Sequence, residues 1–261
     1  MDKVEGRQSE LYADYLSGLS LAQIAKKYHV HLNTVFHLFK RHKLSARNSH
    51  EAHKKYYFNK NAFDNITAEG TYWLGFIYAD GYIEKQRPIL RITLNRKDKI
   101  ILENFKKFLK ANNPIYYDHR GRDTVTLQLI DKHFIQRLKE LGANTNKTQT
   151  IQFPFFLPKK YYSDFIRGYF DGDGSLYINI AKTDQPRFTI TSNPIMVYQI
   201  QRILMKACNL KYTEIQNYSK KYSSTLRYGG RKQVNRILNY LTKNKGFYLP
   251  RKIGRWLPSQ I

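Results

Sequence analysis

The chain has 261 residues, with 45 Lys and Arg against 20 Asp and Glu, a formal charge of +25. At 41% hydrophobic and 15% aromatic, its composition is that of a folded protein rather than a disordered basic tail. One cysteine, Cys208, excludes a disulfide framework and a cysteine-based zinc site, and no uncharged apolar run approaches the ~18 residues of a membrane span.

A surface this basic gains by displacing counterions from a polyanion, so nucleic acid is the expected partner and a membrane is not. The opening MDKVEGRQSE has no apolar signal region. The chain therefore reads as not secreted, working in the cytoplasm of a bacterial or phage host or in an organelle.

Residues 1–45 read as an all-α module. Leu11, Tyr12, Tyr15 and Leu16 recur at helical spacing, and Gly18 ends that helix. Ser20 is the expected N-cap of Leu21–Tyr28, with Leu21, Ile24 and Ala25 inward. A turn at His29–Val30 leads to His31–His42, where Val35, Leu38 and Phe39 face the core. Asn33, Thr34, His37, Lys40 and Arg41 face outward. The run from Ser20-Leu21 through Ile24-Ala25, Tyr28 and Val30 to Thr34-Val35 resembles the helix-turn-helix of resolvases and regulators. That resemblance implies that the five outward residues touch DNA. Residues 46–70 are polar and basic (Arg47, His50, His53, Lys54, Lys55) and are expected to form a linker or arm.

From Thr71 the chain repeats itself. A helix at Thr71–Asp80 precedes a strand at Ile89–Asn95, whose Leu90, Ile92 and Leu94 alternate with Arg91, Thr93 and Asn95. A helix at Asp98–Lys110, strands at Ile115–Arg120 and Thr124–Leu129, and a helix at His133–Leu141 complete the first repeat, residues 71–143. Residues 144–160 read as a linker. The same order returns in residues 161–261, with helices at Tyr162–Asp171, Pro194–Ala207 and Lys232–Leu241. Its strands are expected at Ser175–Ala181, Arg187–Ser192, Tyr212–Tyr218 and Ser224–Tyr228. The fold class is therefore α+β, a pseudo-twofold pair of α-β-β-α-β-β-α repeats behind the helix-turn-helix, in a monomer that acts as a pseudo-dimer.

The helices that open the repeats share a detailed pattern. One reads Trp73-Leu74-Gly75-Phe76-Ile77-Tyr78-Ala79-Asp80-Gly81, and the other Ile166-Arg167-Gly168-Tyr169-Phe170-Asp171-Gly172-Asp173-Gly174. Gly75 with Ala79, and Gly168 with Gly172, place small residues four apart on one face, where two backbones can approach. The glycine after each Asp is expected to stop its helix in a left-handed conformation. An Asp in the last turn opposes the helix dipole by a few tenths to ~1 kcal/mol, and two such helices side by side bring like charges together. A divalent cation resolves that conflict: Mg2+ (or Mn2+) accepts one or two carboxylates with phosphate and water, and paired metals assist phosphodiester hydrolysis.

The two segments, 93 positions apart, resemble the paired motifs of the LAGLIDADG homing endonuclease family in its single-chain form. The resemblance covers residues 66–256 and implies a double-stranded DNA endonuclease, encoded in an intron, intein or free-standing mobile element, that cuts a long asymmetric site. It implies metal ligation by Asp80 and Asp173 with the carbonyls of Ala79 and Gly172. It implies basic residues near the scissile phosphates at Lys147 and Lys252, and water-positioning polar groups at Asn95 and Ser192. Two sheets would face the major groove through Arg91, Thr93, Thr126, Gln128, Tyr177, Asn179, Arg187, Thr189 and Arg227. The first motif departs from the family pattern at Tyr78, where the second has Asp171.

Two other motif readings fail. Asp171-Gly172-Asp173-Gly174-Ser175 opens like a calcium-binding EF-hand loop, but Leu176 and Lys182 stand where that loop needs Gly and Glu. No Gly-Lys-Ser/Thr occurs, so no phosphate-binding nucleotide loop is present. Two rival functions remain on the same fold: a maturase with intron RNA as its partner, and a regulator that binds DNA without cutting. The paired Asp speak against the regulator. The helix-turn-helix, which fits a DNA major groove and not the narrow one of RNA, speaks against the maturase.

Overall fold

The computed structural model describes residues 4, 6–17, 19–44, 56–118, 121–144, 151–177, 185–219 and 223–254. The chain divides into two compact units at Tyr56/Tyr57. Among the residues named above, Gly18, Arg120, Lys147, Asn179, Ala181, Lys182 and the arm residues Arg47, His50, His53, Lys54 and Lys55 lie outside the described ones.

The first unit contains α1 (Gln8–Leu16), α2 (Leu21–Lys27) and α3 (Leu32–Arg41). Ser20 begins α2 with a reciprocal cap: its Oγ accepts from the Gln23 N–H (3.2 Å), while Gln23 Oε1 accepts from the Ser20 N–H (2.8 Å). His31 caps α3 by accepting from the Asn33 N–H at Nδ1, 3.2 Å. Leu11, Tyr15, Ile24, Ala25, Val35, Leu38 and Phe39 form this unit's own core, joined by Val4. Leu16 does not join them; it is 69% exposed, past the inward stripe of a short helix. Asp14 ties the first two helices together by accepting from Lys27 Nζ (2.7 Å) and the Tyr28 hydroxyl (2.8 Å).

The second unit carries the two repeats. The first runs α4 (Ala68–Asp80), β1 (Gly81–Ile83), β2 (Ile89–Asn95), α5 (Lys99–Phe108), β3 (Ile115–Tyr117), β4 (Thr124–Ile130) and α6 (Lys132–Glu140). The second runs α7 (Tyr162–Asp173), β5 (Gly174–Tyr177), β6 (Arg187–Ser192), α8 (Pro194–Cys208), β7 (Gln216–Ser219), β8 (Ser223–Gly229) and α9 (Arg231–Thr242). Each repeat builds one antiparallel sheet of the same order, β1-β2-β4-β3 and β5-β6-β8-β7. The α+β pseudo-twofold architecture is thus present in full. Inward residues such as Leu90, Ile92, Val125 and Leu127 in one sheet, and Phe188, Ile190, Leu226 and Tyr228 in the other, join a single core with the helices.

Several boundaries differ from the sequence reading. The strands expected at Ile115–Arg120 and Tyr212–Tyr218 are short, at Ile115–Tyr117 and Gln216–Ser219. Residues 57–67 are not a free arm. Phe63 is buried in the core, the Tyr57 N–H donates to Asn112 Oδ1 (2.7 Å) and the Asn59 N–H to the Leu109 carbonyl (2.7 Å). The connection between repeats is likewise packed, with Ile151, Phe153 and Leu157 buried. Hydrogen bonds to α8 and its cap hold it in place, from the Phe153 N–H to Gln199 Oε1 (2.6 Å) and from Asn193 Nδ2 to the Ile151 carbonyl (2.8 Å).

The motif glycines also act differently from the expectation. Gly81 (φ −72°) and Gly174 (φ −99°) are both extended, so neither is a left-handed stop. They are required sterically. The first strand residue turns back so closely that a Cβ on Gly81 would lie 2.7 Å from the Ile77 carbonyl oxygen, and one on Gly174 would strike the Phe170 ring.

Candidate functional site

Helices α4 and α7 lie side by side, and the small residues set how close they come. A Cβ on Gly75 would enter the Phe165 carbonyl oxygen, and one on Gly168 would enter the Tyr72 carbonyl oxygen. Gly168 follows Gly75, and Phe165 follows Tyr72, by the same 93 positions, so this is one contact made twice across a pseudo-twofold axis. One turn on, a Cβ on Gly172 would strike the Ala79 methyl and lie 3.0 Å from Asp80 Oδ2. The Asp80 carboxylate therefore reaches across the seam to the last turn of α7, next to Asp173. Asp80 is half-buried and Asp173 exposed.

The surroundings of the two Asp are not symmetric. Tyr169, one helical turn before Asp173, is 2% exposed and donates its hydroxyl to Ser192 Oγ at 2.7 Å. Burial and then the neighbouring Asp173 push that hydroxyl well above the ordinary tyrosine range. Phe76 takes the corresponding place in α4. Asn95 closes β2 and uses its Oδ1 to accept from the Lys97 N–H, 3.0 Å, which caps the turn at Arg96–Asp98.

Lys252, expected near the scissile phosphates, is 6% exposed beneath the end of α7. Its ammonium donates to the carbonyls of Phe170 (2.9 Å), Asp171 (2.6 Å) and Gly172 (3.0 Å). These are carbonyls of a helix C-terminus, of which Phe170 also accepts the Gly174 N–H, and a cation there is favoured by the dipole. Burial lowers this lysine to about 8, against the raising influence of Asp171. Asp171 is buried too, accepting at Oδ2 from the Tyr72 hydroxyl and the Leu249 N–H, both 2.8 Å. Desolvation raises it to about 6, opposed by Tyr72 and Lys252. The neighbouring Arg251 forms a two-pronged ion pair with Asp98 of the first repeat (2.5 and 2.6 Å). Nothing local in the sequence announces these partners, which lie 78 to 153 positions away.

The outward faces of the sheets hold the residues that strand alternation assigned to them. Arg91 lies opposite Gln128 and Thr93 opposite Thr126, with Arg91 Nε donating to Gln128 Oε1 (3.1 Å) and the threonine hydroxyls 2.9 Å apart. Arg91 also pairs with Glu84 at 2.6 Å. In the second sheet Tyr177 lies opposite Arg187, and Thr189 opposite Arg227. The same parity adds residues that the sequence reading passed over: Tyr82, opposite Arg91, and Tyr116, opposite Thr126, are both about half exposed. Ser175 and Thr191 are exposed on the second sheet. In α3, Asn33, His37, Lys40 and Arg41 are exposed and Thr34 is half-exposed. Leu32 and Phe36 stand outward with them, a helical-face position that their apolar character concealed.

No group of three or more His, Cys, Asp or Glu able to hold a metal occurs among the described residues. The donor set at the seam is instead two carboxylates with nearby carbonyls, and Gly172 keeps open the space that the Asp80 carboxylate occupies. An all-oxygen set this small suits Mg2+ or Mn2+, which retain several waters. The residues present therefore fit such an ion. No helix among the described residues is long and apolar enough to cross a membrane.

Residues 160–242 match the family model of the LAGLIDADG-like domain. Among curated proteins, 136 residues are 24% identical to the DNA polymerase II large subunit of Thermococcus kodakarensis, covering 51% of this chain and 7% of that protein. A further 126 residues are 25% identical to the RNA polymerase subunit Rpo1C of Methanocaldococcus jannaschii, covering 47% of this chain and 14% of that one. The chain thus spans only a small part of either relative. Solved structures include the I-LtrWI LAGLIDADG homing endonuclease bound to target DNA, at 13% identity, with 76% of this chain and 88% of that one covered and a TM-score of 0.48. The LAGLIDADG meganuclease I-CpaMI bound to uncleaved DNA is also 13% identical, with 74% and 89% covered and a TM-score of 0.49.

Proposed function

We propose that this chain, whose residues 160–242 form a LAGLIDADG-like domain and whose first repeat has the same order of elements, is a site-specific double-stranded DNA endonuclease. The observation that carries the reading is the seam. Two helices interlock through glycines, each ends in an Asp, and the Asp80 carboxylate reaches the last turn of α7 beside Asp173. A fold that needed only stability would not place two carboxylates there.

In this reading Asp80 and Asp173, with the carbonyls of Ala79 and Gly172, hold Mg2+ or Mn2+. When bound, such an ion would supply an activated water and would stabilise the leaving oxygen. The chain's own residues do the rest. The two outward sheet faces grip the duplex on either side of the seam, with Arg91, Gln128, Arg187 and Arg227 able to reach base edges or phosphates. The Arg91–Gln128 and Arg91–Glu84 contacts hold that arginine in place before DNA arrives. Lys252 fixes the C-terminal turn of α7 and with it the main chain that carries Asp173. Lys147 and Asn179 keep the roles that the resemblance gives them, a phosphate-side base and a groove contact. The first unit, as a helix-turn-helix, contacts DNA through Asn33, Thr34, His37, Lys40 and Arg41 of α3.

A library of long random duplexes incubated with Mg2+ tests the proposal. A recovered cut duplex that is lost in EDTA, and lost with Asp80→Asn or Asp173→Asn, is the expected outcome. Binding of duplexes without any Mg2+-dependent cut would leave a non-cleaving binder instead.

A further inference from the structure

We infer that Glu84 is a positioning residue for Arg91, and that the pair sets one rung of the first sheet to read a guanine in the major groove. The inference rests on the reading above that this sheet faces a duplex, and not on cleavage.

In the order β1-β2-β4-β3, Arg91 stands on an interior strand, with Tyr82 opposite it on one side and Gln128 on the other. Four strands span about 14 Å and the interior pair about 5 Å, against a major groove about 12 Å wide. The outer strands therefore meet the phosphate walls, and the interior pair meets the base edges. Arg91 Nε donates to Gln128 Oε1 (3.1 Å), and Glu84 Oε1 lies 2.6 Å from Nη2. Both contacts fall on the Nε–Nη2 edge of the guanidinium. The end-on edge remains, where one N–H of Nη1 and one of Nη2 run parallel. Two parallel donors match O6 and N7 of guanine, a pair of acceptors that no other base offers in this groove.

Glu84 decides between a base and a phosphate. Its side chain is 11% exposed, its Oε2 accepts from Arg87 Nε (2.8 Å), and its N–H donates to the Ile89 carbonyl (3.0 Å). The carboxylate is thus anchored where β1 turns back into β2. A fixed negative charge beside the guanidinium repels a phosphate and offsets the attraction that would draw one, whereas a guanine edge carries no net charge. Gln128 adds a second restriction. An arginine Nε–H can only donate, so the amide must turn its oxygen to Arg91. Adenine readout needs both the oxygen and the nitrogen of a glutamine, and Gln128 held in this way is withdrawn from it.

The test selects bound duplexes from a random library with the full chain in EDTA, so that nothing is cut, and sequences the pool. Wild type should enrich guanine at a position where Arg91→Lys, which keeps the charge but loses the fork, lowers the preference about tenfold. Glu84→Gln, which keeps the shape but releases the guanidinium, should lower it about threefold or more at that same position. Should Glu84→Gln fail to melt cooperatively by circular dichroism, Glu84→Asp, which draws the carboxylate back by one methylene, takes its place with the same expected loss. A phosphate contact predicts a different pattern: Glu84→Gln would tighten binding to every sequence, and Arg91→Lys would leave each preference as it was. That pattern overturns the inference, as does a responsive position that prefers another base, or a guanine preference untouched by loss of Glu84. A chain that selects this guanine yet cuts nothing in Mg2+ would sink the endonuclease reading and leave the inference standing. A pool no different from the input would overturn the inference, whether or not the chain cuts.

Discussion

Helices α4 and α7 meet each other identically and meet everything else differently. At the seam, Gly75 faces the Phe165 carbonyl as Gly168 faces that of Tyr72. Away from it, α4 buries Tyr72, Trp73, Leu74, Phe76, Ile77 and Tyr78, whereas α7 buries Asp164, Arg167 and Asp171 among its apolar residues. Backbone-to-backbone contact leaves no room for variation, so both copies keep it. The outer faces pack against segments that have diverged. The second copy is wired by charge: Arg167 pairs with Asp164 (2.9 Å) and donates to the carbonyls of Leu241 (2.7 Å) and Phe247 (2.9 Å). The outer face of the first carries a neutral hydrogen bond instead, from the Tyr78 hydroxyl to the Leu141 carbonyl, 2.6 Å.

Four substitutions probe that contrast, beginning with the strongest. Gly75→Leu and Gly168→Leu should each abolish folding, because the obstacle is a main-chain carbonyl that cannot move aside. Circular dichroism would read this, and a cooperative melt in either variant would show that the seam is looser than its geometry. Asp164→Ala should cost about 3–5 kcal/mol in denaturant unfolding, since it strands a buried guanidinium. Asn244, which donates to Asp164 Oδ2 at 2.6 Å, would lose its partner too. Tyr78→Phe should cost only about 1 kcal/mol, the net worth of one hydrogen bond, plus whatever penalty attaches to the unpaired Leu141 carbonyl. If Tyr78→Phe proved as costly as Asp164→Ala, the two outer faces would be equally demanding and the contrast would collapse.

Much of this was legible in the sequence because it is local or periodic. Small residues four apart, repeated at one offset, announce the seam. Alternation along Ile89–Asn95 assigns Arg91 and Thr93 outward. Asp-Gly marked the helix ends, although spacing alone misread why glycine is there. The need comes from the returning chain meeting Ile77 and Phe170, a contact that no local pattern encodes. The same holds for Lys252, whose three carbonyl partners lie 80 to 82 positions away. A single sequence offers many lysines for a catalytic assignment and no sign that this one is spent on a helix end. Tyr169 was overlooked because it reads as one more core aromatic. Its hydroxyl meets Ser192, which closes β6, a contact between a helix and a strand that no local pattern encodes.

The segment from Leu249 to Ile253 has a bearing on how the protein comes to be made. It closes on Asp171 and the end of α7, and through Arg251 on Asp98, which was synthesised 153 residues earlier. On the ribosome, the first repeat must therefore wait with Asp98 unlatched until the second has emerged. Contacts of such separation form late and slowly. Until then the two halves can already interlock through their glycines, but the last turn of α7 lacks the lysine that holds its carbonyls. The last turn of α7, which carries Asp173, is thus fixed only after residues 249–253 have emerged and closed on it.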